Sequence, residues 1–491
     1  MTRRVEDFAP ADGKTVRLYT CGPTVYSRAH IGNFRTFLFE DLLRRALRLA
    51  GWQVEQVMNL TDVDDKIIAR AHSAGAGTTI AAITAPATAQ FFADRDYLGI
   101  EAAERYPRAT EFIPQMIALV ERLVARGLAY RADDGTVYFA IAKFPTYGRL
   151  SRLDMRSIRP GARVAQDDYS KESAQDFAIW KAAKPEDEAA GAAWDSPWGR
   201  GRPGWHLECS AMAMALLGET MDLHCGAIDL IFPHHEDEIA QSEGATGATF
   251  SRHWCHGEFL LTDGAKMAKR VGNVLTVLDL QQAGVSGAAF RHLIFTTHYR
   301  QVLNLTDDAL AASSAAVAYI GEFAERLELP ETVGATPALA AVAEEMATRV
   351  RDALMDDLDA PRALAAVFEF VRAGNAEMDR RGRDPAALAR ARSGVAFIRD
   401  ALGVVPPPRP GGLVGLDGTA ISEPRGQSGG IDGMDPALAA YVADRLRTRM
   451  QARGARDFAA ADAIRDELLK RGIAIADSGA GTRWKVVTKV G

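Results

Sequence analysis

The four cysteines of this 491-residue chain are too few and too widely spaced for a disulfide framework, so they are better considered for metal binding or catalysis. His234 and Glu238 are four residues apart behind Pro233, a spacing that predicts one helical face and a shared metal ion. Taken alone, such a pair is more often an exposed polar face, and an isolated cysteine is more often a small buried apolar residue. Because the chain has no Cys-x-x-Cys pair, spacing leaves every cysteine open as a zinc ligand: Cys21, Cys209, Cys225 and Cys255.

Two short motifs suit the phosphates of a nucleotide. His30-Ile-Gly-Asn directly precedes a predicted helix, where unpaired N–H groups and the helix dipole attract anions and the glycine permits close backbone approach. Lys266-Met-Ala-Lys-Arg places three cations on a short loop that could close over a polyphosphate. The histidine could equally cap the helix, and a basic cluster is more commonly solvated surface. Each motif is weak alone, and its value lies in occurring together with the other.

The elements around the first motif must position these groups. Residues 17–21 are predicted as a strand, 32–50 as a helix with apolar residues at three-to-four spacing, and 53–58 as a second strand. This is a βαβ unit, whose parallel strands direct ligands to the crevice beyond their carboxyl ends. Cys21, at the end of the first strand, is therefore predicted to lie at that crevice.

The remaining composition predicts an α/β fold class: a Rossmann-type parallel-sheet catalytic domain with an insertion, an α-helical bundle and a small C-terminal domain. Helical periodicity rich in Ala, Leu, Arg and Glu indicates the bundle, and a Pro- and Gly-rich stretch that cannot bury a core is predicted to be a mobile linker. The expected bounds are 1–130 and 201–265 for the two catalytic halves, 131–200 for the connective insertion, 266–330 for the region with the basic loop, 331–403 for the bundle, 404–434 for the linker and 435–491 for the C-terminal domain.

Charge and hydropathy narrow the class of protein. The net charge is −6, which argues against a general electrostatic grip on nucleic acid, but residues 435–491 carry 11 Lys and Arg against 7 Asp and Glu and could form a local basic face. The apolar stretches stop well short of the ~20 residues that span a bilayer. Sparse cysteines suit a reducing compartment. We therefore expect a cytoplasmic protein without a membrane span.

Taken together, these segments resemble class I aminoacyl-tRNA synthetases, and the similarity to the cysteinyl-tRNA synthetase family runs along nearly the whole chain. So many matches in the same order make the resemblance highly specific. The stretches that carry it are Cys21-Gly-Pro-Thr-Val-Tyr, His30-Ile-Gly-Asn, Asn59-Leu-Thr-Asp-Val-Asp-Asp-Lys, Gly201-Arg-Pro-Gly-Trp-His-Leu-Glu-Cys-Ser-Ala-Met, Ile228-Asp-Leu-Ile-Phe-Pro-His-His-Glu, Lys266-Met-Ala-Lys-Arg and Arg456-Asp-Phe-Ala-Ala-Ala-Asp-Ala-Ile-Arg-Asp-Glu-Leu.

The resemblance implies an ATP-dependent cysteine–tRNA ligase, which forms cysteinyl-adenylate and pyrophosphate and then passes cysteine to the 3′ end of tRNA(Cys). It implies one Zn²⁺ per chain and Mg²⁺ with ATP, and we expect a monomer. Residues 340–403 and the basic tail would grip the anticodon stem and loop. Carried over by motif, the zinc ligands are Cys21, Cys209, His234 and Glu238, the catalytic residues are His30, Lys266 and Lys269, the ATP-binding residues are His30, Gly32, Asn33 and Lys269, and the cysteine-binding residues are Gly22, Thr61, Trp205 and Asp229.

Zinc would also explain how cysteine is told from serine. The two differ by sulfur for oxygen, which shape and apolar packing discriminate poorly, whereas zinc binds a thiolate at ~2.3 Å and an alkyl hydroxyl gains much less from it. Four protein ligands normally describe a closed structural zinc. We therefore expect the site to become five-coordinate, or Glu238 to loosen, when the substrate arrives.

Three positions depart from the common family pattern. Asn33 replaces the second histidine of the first signature, and Ala268 and Arg270 replace two serines of the second signature. These changes remove hydroxyls and add a charge while both lysines remain. We expect slower or altered loop closure rather than an inactive enzyme.

Three other functions fit parts of the sequence. A cysteine ligase of the mycothiol-biosynthesis type would share the catalytic half, but the bundle and basic tail disfavour it. A catalytically silent RNA-binding paralogue is conceivable from the altered signatures, although His30, both lysines and the four implied ligands argue otherwise. A generic nucleotidyltransferase with a structural zinc would share only the His-x-Gly signature.

Overall fold

The computed structural model describes residues 6–152, 163–164, 175–267, 274–328, 337–379, 384–407, 411–415, 420–422, 436–478 and 481–486. Strands and helices alternate through the first part of the chain. The strands are β1 Thr15–Thr20, β2 Gln53–Met58, β3 Ala129–Arg131, β4 Val137–Phe139, β5 Arg163–Val164, β6 Asp176–Ala182, β7 Gly201–Pro203, β8 Met221–Ala227, β9 Ser251–Gly257, β10 Leu260–Thr262, β11 Ala265–Lys266, β12 Leu303–Leu305, β13 Gly411–Gly415, β14 Ala420–Ser422, β15 Ile473–Ser478 and β16 Gly481–Val486.

Helices dominate the second part of the chain. They are α1 Ile31–Leu49, α2 Asp65–Ser73, α3 Ile80–Tyr97, α4 Ile113–Ala125, α5 Pro185–Ala189, α6 Trp205–Leu217, α7 Glu236–Thr246, α8 Val277–Gln282, α9 Gly287–Phe295, α10 Asp307–Leu327, α11 Pro337–Met355, α12 Ala360–Asp379, α13 Pro385–Leu402, α14 Pro436–Gly454 and α15 Phe458–Lys470. None of the described helices is both long enough and apolar enough to cross a membrane.

A four-stranded parallel sheet in the order β2-β1-β8-β9 forms the centre of the catalytic part. Side chains alternate between its two faces. Leu18 and Leu223 point into the core that includes α1, whereas Tyr19 and His224 contact each other on the opposite face. The predicted Rossmann-type parallel sheet is therefore confirmed, and β2 occupies the predicted residues 53–58.

Helix α1 begins at Ile31 because His30 is its N-cap. The His30 ring accepts a hydrogen bond from the Asn33 backbone N–H at 3.2 Å, and the Asn33 side-chain oxygen accepts one from the His30 N–H at 3.2 Å. This reciprocal pair is a capping box, which satisfies two backbone donors that the first turn leaves unpaired. Phe34 and Leu38, both fully buried, then hold the helix against the sheet.

A second sheet lies between the two halves of the parallel sheet in the chain. β4 pairs antiparallel with both β3 and β6, β5 pairs parallel with β6, and β7 pairs antiparallel with β6. Phe139, Phe177 and Trp180 from this sheet share a core with Leu207 of α6. Helix α6 therefore packs against the second sheet.

The C-terminal part contains a helical bundle and a small α/β unit. Helices α10 to α13 bury Phe323, Val367 and Phe370 in a core continuous with that of α1. Helices α14 and α15 pack on a sheet in the order β14-β13-β16-β15. Within the stretch predicted as a linker, residues 411–415 and 420–422 are strands of this sheet, because β13 pairs with β16.

Candidate active site

Cys21 follows the last residue of β1 and lies at the carboxyl edge of the parallel sheet, as the βαβ prediction requires. Its backbone N–H donates to the carbonyl of Cys225 in β8 at 3.1 Å, which fixes the loop to the neighbouring strand. The residue is 7% exposed. Its thiol therefore faces a buried part of the crevice.

Cys209 reaches the same crevice from α6. Gly204 precedes this helix and donates its N–H to Ile179 of β6 at 2.9 Å. A Cβ atom on Gly204 would lie 2.2 Å from the carbonyl oxygen of Ala178, so only glycine allows α6 to start this close to β6. This close approach places Cys209, which is 1% exposed, opposite Cys21.

His234 and Glu238 complete the cluster. A single wide turn over 231–235 leads into α7, and His234 Nε2 lies 3.0 Å from Glu238 Oε1. The predicted shared face is thus present, although His234 belongs to the turn that precedes α7 rather than to the helix. Glu238 Oε1 also lies 3.9 Å from Cys21 Sγ.

One ligand atom from each of these four residues lies within 4.8 Å of all the others, and all four residues are buried. We call Cys21, Cys209, His234 and Glu238 the four-donor set. A hydrogen bond with the Cys21 thiol lowers the pKa of Cys209 to about 6, despite the opposing effect of burial. Burial opposes the ionisation of Glu238, but the rings of His224 and His234 bring its pKa down to about 2. The cluster could hold a metal ion.

Two histidines that the sequence did not indicate border the four-donor set. His224 Nε2 lies 2.8 Å from Glu238 Oε2, and His235 Nε2 lies 3.4 Å from Cys21 Sγ. The other nitrogen of His235 lies 2.8 Å from Nε2 of His256. His224 and His235 also form an overlapping candidate metal cluster with Cys21 and Glu238. His224 and His256 share one face of the sheet, because His224 pairs in register with Trp254 and His256 lies two residues further along β9.

The predicted cysteine-binding residues lie near the same edge of the sheet: Gly22, Thr61 and Asp229 follow β1, β2 and β8, and Trp205 is the first residue of α6. The Trp205 ring stacks on His234 with centroids 4.1 Å apart. Gly22 donates its N–H to the Asn59 side chain at 2.9 Å, and Asn59 in turn donates to the Thr61 hydroxyl at 3.1 Å. Asp229 is exposed in the turn that follows β8.

The two nucleotide motifs meet at the start of α1. A Cβ on Gly32 would lie 2.8 Å from Met267 Cε, so the first residues of the basic motif pack directly on the first signature. On the far side of the loop, Leu275 accepts a hydrogen bond from the Ile31 N–H at 2.9 Å. The backbone of Lys266 lies in β11. Lys269, with Ala268 and Arg270, lies outside the described residues.

An open cleft of about 870 Å³ adjoins Trp205, between α2 and α5. Its walls carry both signs of charge. Arg202 lies between Asp65 and Asp187, and it donates to Asp187 at 3.1 Å. The residues that line the cleft are Thr24, Asp64, Asp65, Lys66, Ile68, Ala69, His72, Lys184, Glu186, Asp187, Arg202 and Trp205.

Residues 7–315 match the family described as tRNA synthetases class I (C) catalytic domain, 349–405 match the DALR domain, and 435–484 match the cysteinyl-tRNA ligase anticodon binding domain. A cysteine–tRNA ligase of Solibacter usitatus (strain Ellin6076) is 44% identical over 491 residues, which cover 99% of this chain and 98% of that relative. The chain belongs to the cysteine–tRNA ligase family. A second member, from Chlamydia pneumoniae, is 41% identical over 472 residues, covering 96% of this chain and 94% of the relative.

Solved structures support the fold of this cysteine–tRNA ligase family member. A methionyl-tRNA synthetase of Mycobacterium tuberculosis, solved in complex with methionyl-adenylate, superposes with a TM-score of 0.59 at 16% identity over 79% of this chain and 92% of the other. At this identity the similarity concerns the fold alone. The predicted α/β fold class and the prediction of a class I aminoacyl-tRNA synthetase are both confirmed.

Proposed function

We propose that this protein activates L-cysteine with ATP to form cysteinyl-adenylate and pyrophosphate, and transfers the cysteine to the 3′ end of tRNA(Cys). The observation that carries the proposal is the four-donor set, buried at the carboxyl edge of the parallel sheet in a chain of the cysteine–tRNA ligase family. Ligands of open α/β sheets bind at this edge. The start of α1 lies at the same edge, so sulfur and phosphate would be bound side by side.

The four-donor set suits Zn²⁺. Two sulfurs, one imidazole and one carboxylate within 4.8 Å of one another match the ligand types and the spacing that bonds of about 2.0–2.3 Å require. The overlapping cluster offers a single sulfur. His224 holds Glu238, and His235 is bonded to His256, so these rings are better placed to orient the ligands than to replace them. Bound zinc would supply affinity for a thiolate that it lacks for a hydroxyl.

The neighbouring side chains would shape the space for the amino acid. Trp205 stacks its ring on His234 and also lines the open cleft. Gly22 permits the close approach of the two loops, since a Cβ there would lie 1.8 Å from the Asn59 carbonyl oxygen. Thr61 is held by the same asparagine. Asp229, on the loop after β8, would complete this wall.

ATP would be held at the first turn of α1. The capping box orients His30 and Asn33, and Gly32 leaves the backbone accessible, so the phosphates can approach the positive end of the helix. With the amino acid held at the adjacent four-donor set, its carboxylate can attack the α-phosphate in line as pyrophosphate leaves. Lys266 and Lys269, with Mg²⁺ on the phosphates, would stabilise the developing negative charge.

The tRNA would contact the protein at both ends of the molecule. The open cleft is lined by Trp205, which stacks on His234, so the terminal nucleotides of the acceptor strand would approach the four-donor set from this side. The bundle and the basic segment 435–491 would contact the anticodon stem and loop, in keeping with the family matches there. The anticodon-domain match argues against the amino-sugar ligase and the generic nucleotidyltransferase.

Two assays on the zinc-loaded protein test the proposal. Cysteine-dependent exchange between ATP and pyrophosphate should be at least about a hundredfold faster than serine-dependent exchange, because only the thiolate gains from the metal. Cys209→Ser should lose bound zinc and most of this exchange, whereas Cys225→Ala, a matched change outside the four-donor set, should keep both. The protein should then charge tRNA(Cys). Exchange at full rate without zinc, or equal use of serine, would refute the proposal.

A further inference from the structure

Cys225 of β8 and Cys255 of β9 are direct partners in the register of the parallel sheet. Neighbouring strands lie about 4.8 Å apart, and the Cα atoms of a disulfide are usually 4.4–6.8 Å apart. In-register residues also project from the same face of a sheet. Because the commonest Cα spacing in a disulfide is about 5.5–6 Å, a bond between the two thiols requires only a small change in the spacing of the strands.

The pair lies on the sheet face opposite the four-donor set. Cys225 belongs to the core that contains α1, and Cys255 packs against that core. The residues that precede them in the two strands, His224 and Trp254, stack on each other on the other face. Neither thiol belongs to a candidate metal cluster of the described residues. The role proposed above for the other two cysteines leaves this pair without a function.

The two thiols differ in exposure. Cys225 is fully buried and Cys255 is partly exposed, so an oxidant in solution reaches Cys255 first. A hydrogen bond with Cys225 lowers the pKa of Cys255, which favours the reactive thiolate. Cys255 is thus placed to react with the oxidant, and Cys225, its partner across the strands, to resolve the product.

We propose that Cys225 and Cys255 are a site of reversible oxidation, at which hydrogen peroxide forms a disulfide across β8 and β9. The Cys255 thiolate attacks one peroxide oxygen, giving a sulfenic acid and releasing hydroxide, which takes up a proton to become water. The Cys225 sulfur then displaces the sulfenic hydroxyl, which leaves with the Cys225 proton as a second water. Two electrons pass from the two thiols to one peroxide, and a dithiol in solution reverses the reaction.

Formation of the disulfide would shift the active site through the backbone of β8. The carbonyl of Cys225 accepts the Cys21 N–H at 3.1 Å, and His224, the preceding residue in β8, lies 2.8 Å from Glu238. A bond that changes the strand spacing at Cys225 therefore displaces two members of the four-donor set. Displacements below 1 Å at a reacting centre can cost about tenfold or more in rate. This part of the inference rests on the proposed function, but formation of the disulfide does not.

Peroxide treatment of the zinc-loaded protein, followed by alkylation and tryptic peptide mapping without reductant, tests the site. The expected product is a disulfide between the tryptic peptides 201–252 and 253–266. The first peptide contains both Cys209 and Cys225. The product should be absent from Cys225→Ala and from Cys255→Ser, and its absence from Cys225→Ala rules out Cys209 as the partner. Both variants should retain cysteine-dependent exchange at the untreated rate. Oxidised wild-type protein should lose about tenfold in exchange, and dithiothreitol should restore it.

The outcomes separate this inference from the proposed function. Absence of the cross-linked peptide at peroxide concentrations that oxidise Cys255 to sulfinic acid would overturn the inference, as would equal inactivation of wild type and Cys255→Ser. Cross-linking of Cys21 to Cys209 with release of zinc would also overturn it. Failure of exchange before any peroxide is added would instead refute the proposed function, since the cross-link is detected by mass alone.

Discussion

The protons carried by the four-donor set determine how it takes up a metal ion. Burial would lower the pKa of His234, but Glu238 and Cys209 raise it to about 10, so the ring is protonated at neutral pH. Burial raises the pKa of Cys21 well above its usual range. Cys209, at about 6, is largely ionised, and so is Glu238, at about 2. Metal binding must therefore displace the protons of His234 and Cys21, because only neutral imidazole and thiolate are ligands.

We predict that zinc binding releases about two protons at pH 7 and about three at pH 5, where Cys209 is also protonated. Since protons are released, raising the pH strengthens zinc binding and lowering it weakens binding. Calorimetry in two buffers with different ionisation enthalpies measures the number directly. Cys225→Ala, which leaves the four-donor set intact, should release the same number of protons as wild type at each pH. Zinc affinity that does not change between these two pH values would contradict the protonation pattern.

At the residue scale, sequence reasoning found the groups that lie on motifs and missed those brought together by the fold. The spacing of His234 and Glu238 predicted a shared metal, and the structure places them 3.0 Å apart. The choice of Cys21 and Cys209 among four cysteines needed the family resemblance, because they meet through β1 and α6. His224 and His256 come from separate strands, and no spacing in the sequence relates them to Glu238.

Helix α6 carries both Trp205 and Cys209, and its position depends on one glycine. The backbone at Gly204 is extended, so its role does not depend on a positive φ. The constraint is distance, since a Cβ would lie 2.2 Å from the Ala178 carbonyl oxygen of β6. A backbone oxygen in a paired strand cannot move aside as a flexible side chain can. Any substitution must therefore push α6 away from the second sheet.

Gly204→Ala is expected to destabilise the catalytic part by about 1–3 kcal/mol, as overpacking does, and to weaken zinc binding because Cys209 moves with α6. Thermal unfolding followed by circular dichroism and the zinc content of the purified variant measure the two effects. Gly454→Ala is the matched control, since a Cβ at this helical position in α14 meets nothing within 4 Å. Zinc content and unfolding temperature equal to those of the control would show that α6 tolerates the methyl group.

At the element scale, the sequence predicted elements whose signals are local. β2 has the predicted bounds, and α1 begins one residue before its predicted start because the capping box, rather than the glycine, sets the first turn. The strands at 411–415 and 420–422 could not be predicted in this way. Their Gly- and Pro-rich surroundings indicate a linker. The first becomes a strand by pairing with β16 at the far end of the chain, and the second by pairing with the first.

At the scale of the whole molecule, two buried arginines join the catalytic part to the bundle. Arg291 of α9 lies 2.6 Å from Asp41 of α1 and donates from Nε and Nη2 to the carbonyl of Leu402 at 3.0 Å each. Arg45 of α1 donates to the carbonyl of Asp400 at 2.8 Å. The last carbonyls of a helix have no partner within it, so these guanidinium groups cap α13. Helix α1, which begins in the His30-Ile-Gly-Asn motif, is thereby fixed to the end of the bundle.

Arg291→Met tests whether this connection serves tRNA charging rather than only folding. Methionine preserves much of the apolar volume but leaves the Leu402 carbonyl and part of the Asp41 charge unpaired, and breaking a buried pair costs roughly 3–5 kcal/mol. We expect kcat/KM for tRNA charging to fall about tenfold or more, because the bundle no longer holds the anticodon stem at a fixed position relative to the site. Cysteine-dependent pyrophosphate exchange, which needs only the catalytic part, should change less than about threefold.

The matched control is Arg349→Met, which removes the same charge from an exposed ion pair between Arg349 of α11 and Glu369 of α12. Because exposed pairs contribute little, this variant should charge tRNA and exchange pyrophosphate at wild-type rates. Both rates should be measured at one temperature below the unfolding transition of each variant. An equal fall of charging and exchange in Arg291→Met would assign the network to folding alone. A fall in charging alone would show that the Arg291 contacts with α1 and α13 hold the bound tRNA in position relative to the active site.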